Sequence, residues 1–204
     1  MPVGGASLRY RGIQQIMKLQ INQSRTLDEL INGCRKQDAR AQKQLYERLS
    51  PRMYAVCLRY VKDAADAQDV LLKAFTKTFE HIKKYQHEGS FEGWVHRIVV
   101  NESLMFLRKY KNMHVAVDMD EAVNVSTPPS HALEADDLLY FVQQLPLGYR
   151  TVFNLYSIEG YSHAEIANQL NISEGTSKSQ LSRAKELLRR MITKSDSMFQ
   201  DQIG

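Results

Sequence analysis

No stretch of this sequence keeps to apolar residues for the roughly 20 positions that a membrane-spanning helix requires, and the N-terminus lacks the apolar core of a secretory signal. Cysteine is scarce as well. Cys34 and Cys57 are the only two; both fall in helical text without a CxxC spacing, which argues against a zinc site or a disulfide framework. They read as buried free thiols in a reducing cytoplasm. The six histidines, His81, His87, His96, His114, His131 and His163, form neither HxxxH nor HExxH. No glycine-rich phosphate loop and no serine or cysteine nucleophile motif is present either, so the chain reads as a non-enzyme that needs no metal and no cofactor. Alternating strand patterns are also missing, which excludes sheet-based folds and leaves an all-α protein.

What is present is ordinary in amount and informative in arrangement. Apolar residues make up 43% and charged residues 25% of the 204, a composition that folds and buries a core. Lys and Arg outnumber Asp and Glu by 27 to 23, a net +4 that favours an anionic partner without identifying one.

Residues 25–111 read as a helical bundle. Tyr54, Cys57, Leu58 and Val61 recur at i, i+3, i+4 and i+7, and Ala67, Val70, Leu71, Ala74, Phe75, Thr78 and Ile82 form a second stripe entered through Asp63 as N-cap. Ser50 before Pro51 predicts a further helix start. A fourth helix is expected from near Ser90, with Phe91, Trp94, Val95, Ile98, Glu102 and Met105 on adjoining turns, ending in Arg108, Lys109 and Lys111.

Composition then shifts. Between Asn112 and Asp137 there is no Lys or Arg, but Asp118, Asp120, Glu121, Glu134, Asp136 and Asp137 are present, with Pro128 and Pro129. Residues 112–131 therefore read as a flexible acidic linker in extended form. Residues 1–24 read as a disordered leader in which Met17 could be the physiological start, and 195–204 as a tail.

Residues 132–194 predict four more helices, the first stopped by Pro146 and the second carrying Val152, Phe153, Leu155 and Tyr156. The third and fourth make a helix-turn-helix. Ser162 with Glu165 is a capping box, Ala167 permits close helix approach, Asn171 and Ile172 form the turn, and Ser173 caps a basic helix. The buried stripe of that helix is Leu181, Ala184, Leu188 and Met191, which leaves polar and basic faces for a DNA groove. Gly175 in the first turn costs about 1 kcal/mol relative to alanine, so it needs a reason such as close backbone approach to a phosphate.

The text from Leu145-Pro146 through "EGYSHAEIANQLNISEGTSKSQLSRAKELLRR" (159–190) resembles region four of the sigma-70 family, and "DAADAQDVLLKAFTKTFEHIKKY" (63–85) with "FEGWVHRIVVNESLMFLRK" (91–109) resembles region two. With no room for further regions, the arrangement looks like the extracytoplasmic-function (ECF) group. The resemblance implies a sigma factor that binds RNA polymerase core, through its beta-prime and beta subunits, and promoter DNA, with an anti-sigma factor as a further partner. It places polymerase binding on Gln68, Asp69, Val70, Leu72 and Phe75. Minus-ten binding falls to Trp94, His96, Arg97, Asn101, Arg108 and Lys109, with Asn101 where the family carries an Asn that helps hold a flipped base. Minus-thirty-five binding falls to Gly175, Thr176, Lys178, Ser179, Gln180, Ser182 and Arg183.

The chain departs from the family pattern at several positions. Gln68 stands for the usual acid, Leu72 for the usual Gln and Met105 for a frequent Asp, while Ser177 is polar where an apolar residue is common and is expected to weaken first-turn packing. From spacing alone Leu72 and Trp94 both read equally as core residues. A stand-alone helix-turn-helix regulator is the alternative function.

Overall fold

A computed structural model describes residues 25–113 and 135–203, and side chains within 25–109 and 139–193. The leader, Met17, His114, His131 and the acidic segment 114–134 lie outside these residues. Every described element is helical. The order is α1 (Leu27–Arg35), α2 (Ala39–Tyr60), α3 (Ala64–His81), a 3-10 turn (Ile82–Lys84), α4 (Phe91–Met113), α5 (Ala135–Gln144), α6 (Leu147–Phe153) continuing as a π-helical turn (Asn154–Ile158), α7 (His163–Leu170) and α8 (Glu174–Ile203).

Caps set the starts. Thr26 and Glu29 make a reciprocal capping box on α1, Asp38 accepts from the Arg40 N–H at α2, and Asp63 accepts from the Ala65 and Asp66 N–H groups at α3. The α3 stripe is as expected, with Ala67, Val70, Leu71, Ala74, Phe75 and Thr78 buried and Ile82 buried just beyond it. The expected break at Ser50 does not occur. Pro51 lies inside a continuous α2, because Leu45, Leu49, Met53, Val56, Cys57 and Tyr60 form one buried stripe across it, and that burial offsets the hydrogen bond which proline removes. The stripe is also rotated from the expected face, so Tyr54 and Leu58 are only half-buried.

On α4, Phe91, Val95, Val99, Val100, Leu104 and Leu107 face the core. Met105, expected on the inner turns, is 50% exposed because Leu104, one residue earlier and 100° around the helix, takes the buried place. The last helix continues to Ile203, past the boundary expected at 194, since no proline or glycine interrupts the text before Gly204.

Both cysteines are buried free thiols. Burial pushes each thiol up to about 11. Against an ordinary value near 9, that shift cuts the thiolate fraction at pH 8 about 100-fold. We therefore predict that alkylation of the native chain at pH 8 is slower than in denaturant by that factor or more; mass spectrometry showing rapid labelling would place the thiols outside the core.

Candidate nucleic-acid interface

Three outward strips carry the residues that the sequence points to. On α3, Gln68, Asp69 and Leu72 are exposed, Leu72 by 51%, while Val70 and Phe75 are almost fully buried. Phe75 packs edge-on against Tyr46 at 4.8 Å, so it supports the strip from inside and cannot itself touch a docked partner.

On α4, Arg97, Asn101 and Arg108 are exposed and, at spacings of four and seven, share one face with Met105; Lys109 adjoins them. Trp94 is half-buried in an aromatic cluster, its ring 5.7 Å from Tyr85 and 5.6 Å from Phe91. One turn inside the strip, Glu102 is buried and ion-paired at 2.6 Å with Lys77, whose ammonium also lies 3.8 Å from the Met105 sulfur. That pair pins α3 to α4 and sets the two strips relative to each other.

The helix-turn-helix has the expected parts. The Glu165 N–H donates to Ser162 Oγ at 3.3 Å and the Ser162 N–H to the Glu165 carboxylate at 2.8 Å; the Ser162 hydroxyl and N–H together hold that carboxyl below its usual range. Asn171 ends α7 in the left-handed conformation at φ 54°, which asparagine tolerates. Ser173 Oγ accepts from the Thr176 N–H at 3.0 Å and starts α8.

Along α8, Gly175, Lys178, Ser179, Ser182 and Arg183 are exposed. Thr176 is half-buried, with its hydroxyl 2.9 Å from that of Ser173. Gln180 is half-buried and turned over Gly148 of α6, and Arg183 donates to the Tyr149 hydroxyl at 3.2 Å, so these two lean toward α6. Ser177 is fully buried, yet its hydroxyl lies 2.9 Å from His163 Nδ1. Its polarity is therefore matched across the α7–α8 seam and does not weaken the first turn.

Gly175 has no backbone need for glycine, and a Cβ there would meet nothing closer than Ser173 Oγ at 3.6 Å. Gly175→Ala is accordingly predicted to stabilise the free chain by up to about 1 kcal/mol in thermal melts while weakening duplex binding. Equal duplex affinity would remove Gly175 from the interface.

A polar seam that sequence reasoning missed joins the two halves. The last carbonyls of α2 have no helical partner, and side chains of the C-terminal half supply donors: Gln143 to the Leu58 oxygen at 3.0 Å, Asn154 to the Arg59 oxygen at 2.8 Å and Arg150 to the Tyr60 oxygen at 3.1 Å. Arg150 also donates to the Gln143 oxygen at 3.0 Å. Burial pulls the Arg150 guanidinium down to about 10, which leaves it protonated at neutral pH beside the negative end of α2. Glu159, 6% exposed, pairs with Arg59 at 2.8 Å and approaches His96 at 3.4 Å. Gly160 at φ 78° turns the chain out of the π-helical segment and so places Glu159. The one sequence signal was Arg150 inside an otherwise uncharged run from Leu145 to Ile158.

Two helical units, one closing in a helix-turn-helix and the other presenting a polar strip with basic ends, define a DNA-binding protein of the helix-turn-helix class. The family profile for Sigma-70 region 2 matches residues 45–113 and that for Sigma-70, region 4 matches residues 135–188. The chain is 30% identical over 161 residues to the ECF RNA polymerase sigma factor SigE of Mycolicibacterium smegmatis, covering 76% of this chain and 62% of that protein, thus less than two thirds of its length. It is 28% identical over 174 residues to the RNA polymerase sigma-H factor of Pseudomonas aeruginosa, covering 78% and 90%. Among solved structures, the sigma factor RpoE of Bartonella quintana, in complex with the anti-sigma factor NepR, aligns with a TM-score of 0.48 at 21% identity, covering 74% of this chain and 96% of that one. The chain belongs to the sigma-70 family of RNA polymerase sigma factors, in its ECF group. It is a non-catalytic initiation subunit that directs promoter recognition. Among the described residues no helix is long and apolar enough to cross a membrane.

Proposed function

We propose that the three strips divide the work of initiation. The exposed α3 residues Gln68, Asp69 and Leu72 dock on the polymerase beta-prime subunit, with the C-terminal domain meeting the beta subunit. A Leu exposed by 51% between polar neighbours has the character of an interface anchor, and it is the single observation that most favours this reading over a stand-alone regulator. Asn101 takes the flipped minus-ten base along its edge, while Arg97, Arg108 and Lys109 follow the strand's phosphates. Trp94, half-buried, walls the start of that strip, and His96 lies beside it.

The exposed side of α8 enters the minus-thirty-five major groove, with Lys178 and Ser179 near its N-terminal end and Ser182 and Arg183 one turn on. An anti-sigma factor is the expected regulator, and its gene is to be sought beside this one. The test is transcription by polymerase core and purified chain on fragmented genomic DNA. Promoter-specific transcripts that depend on the chain support the reading; duplex binding without core binding or transcripts would replace it with a stand-alone regulator.

A further inference from the structure

Glu159 is the best-buried acid of the C-terminal half, and the groups it faces belong to the other half. It holds Arg59 of α2 and His96 of α4, and with Glu165 and Tyr161 it walls a cleft of about 630 Å3 whose opposite wall is Gly93, His96 and Arg97. Two carboxylates of the C-terminal domain thus line the same cleft as the first basic residues of the α4 strip, where the phosphates of a captured strand would be drawn.

The same domain closes the C-terminal end of α2 through Gln143, Asn154 and Arg150. That seam is sealed incompletely. Arg59 Nε, Tyr60 Oη, Arg150 Nε and Asn154 Oδ1 are all buried there without a hydrogen-bond partner, a pattern that suits a contact made and broken rather than a permanent core. The apolar cluster of the N-terminal bundle also continues into Val152, Leu155, Ile166 and Leu181, so the closed arrangement has hydrophobic support as well.

This arrangement cannot persist on a promoter. Elements centred ten and thirty-five pairs upstream lie about 25 pairs, or about 85 Å, apart along the duplex at 3.4 Å per pair. Two domains with radii of gyration of about 12 Å, held at hydrogen-bond distance, keep their centres within about 30 Å.

We propose that this chain carries a built-in autoinhibitory latch. In the closed state Glu159, with Arg150, Asn154 and Gln143, holds the C-terminal domain on α2 and α4 and covers the start of the minus-ten strip; promoter engagement requires the latch to open. The proposal rests on the sigma-factor reading for its consequence but not for its measurement.

The test uses the full chain with donor and acceptor dyes at Arg48→Cys and Arg189→Cys, both exposed, since the two native thiols are buried. Single-molecule transfer should show the free chain mostly closed. Glu159→Gln should raise the open-to-closed ratio about tenfold and Gln143→Ala, a milder change at a half-buried site, about fivefold. Fluorescein-labelled dT20 should bind Glu159→Gln several-fold more tightly than the parent. A parent chain already open, an unchanged ratio in both variants, or opening with no gain in dT20 binding would overturn the latch. If the variants open but polymerase core neither binds nor opens any of the chains, the latch stands and the sigma reading fails.

Discussion

Leu72→Asp is expected to weaken binding to polymerase core by about 30- to 1,000-fold while leaving the melting temperature of the free chain nearly unchanged. The asymmetry follows from where the side chain sits. At 51% exposure on α3, Leu72 contributes little to the free fold, and exposed substitutions of this kind alter stability by no more than about 0.5 kcal/mol. Buried at an interface beside Asp69, the same side chain would be an anchor worth about 2–4 kcal/mol, and a carboxylate in its place would be desolvated without a partner. Phe75→Ala should behave in the opposite way, unfolding the bundle by about 3–5 kcal/mol, because Phe75 is 2% exposed and packed on Tyr46. Titration of labelled chain with core enzyme separates the two effects. Unchanged affinity in Leu72→Asp would remove the α3 strip from the polymerase interface.

The second large effect is expected from Asn101→Ala, which should slow open-complex formation about 5- to 150-fold while core binding stays within twofold. Asn101 is exposed in the middle of the α4 strip, and an amide that both donates and accepts along a base edge is worth about 1–3 kcal/mol when the base is held out of the stack. Alanine keeps the helix and loses the edge. Permanganate reactivity of unpaired thymines reads the opening directly, and equal reactivity in mutant and parent would assign base capture to other residues.

Most of the fold was legible because helical periodicity is a local property. The α3 stripe from Ala67 to Ile82, the Asp63 and Ser162 caps, the Asn171 turn and the break at Pro146 each depend on residues within a few positions of one another. Pro51 misled for the same reason. Its local preference ends a helix, but the buried stripe from Leu45 to Tyr60 runs through it, and burial against α3 and α4 outweighs one missing bond.

The candidate site was legible in part. Motif spacing located Asn101 and the exposed residues of α8, yet which members face outward depends on helix rotation against a core. Val70 and Phe75 therefore point inward, Leu72 and Met105 outward, and Gln180 turns to α6. Ser177 read as a defect until the fold brought His163 to it across 14 positions.

By itself, the sequence determined an all-helical chain, two units, a helix-turn-helix and the family to which both belong, because caps, turns and stripes are written in short-range spacing. Only the tertiary structure decided how the units meet. Arg59 and Glu159 are 100 residues apart, and Tyr60 and Arg150 are 90 apart. No periodicity links such residues, and the unpaired carbonyls at the end of α2 acquire donors only when the chain returns to them.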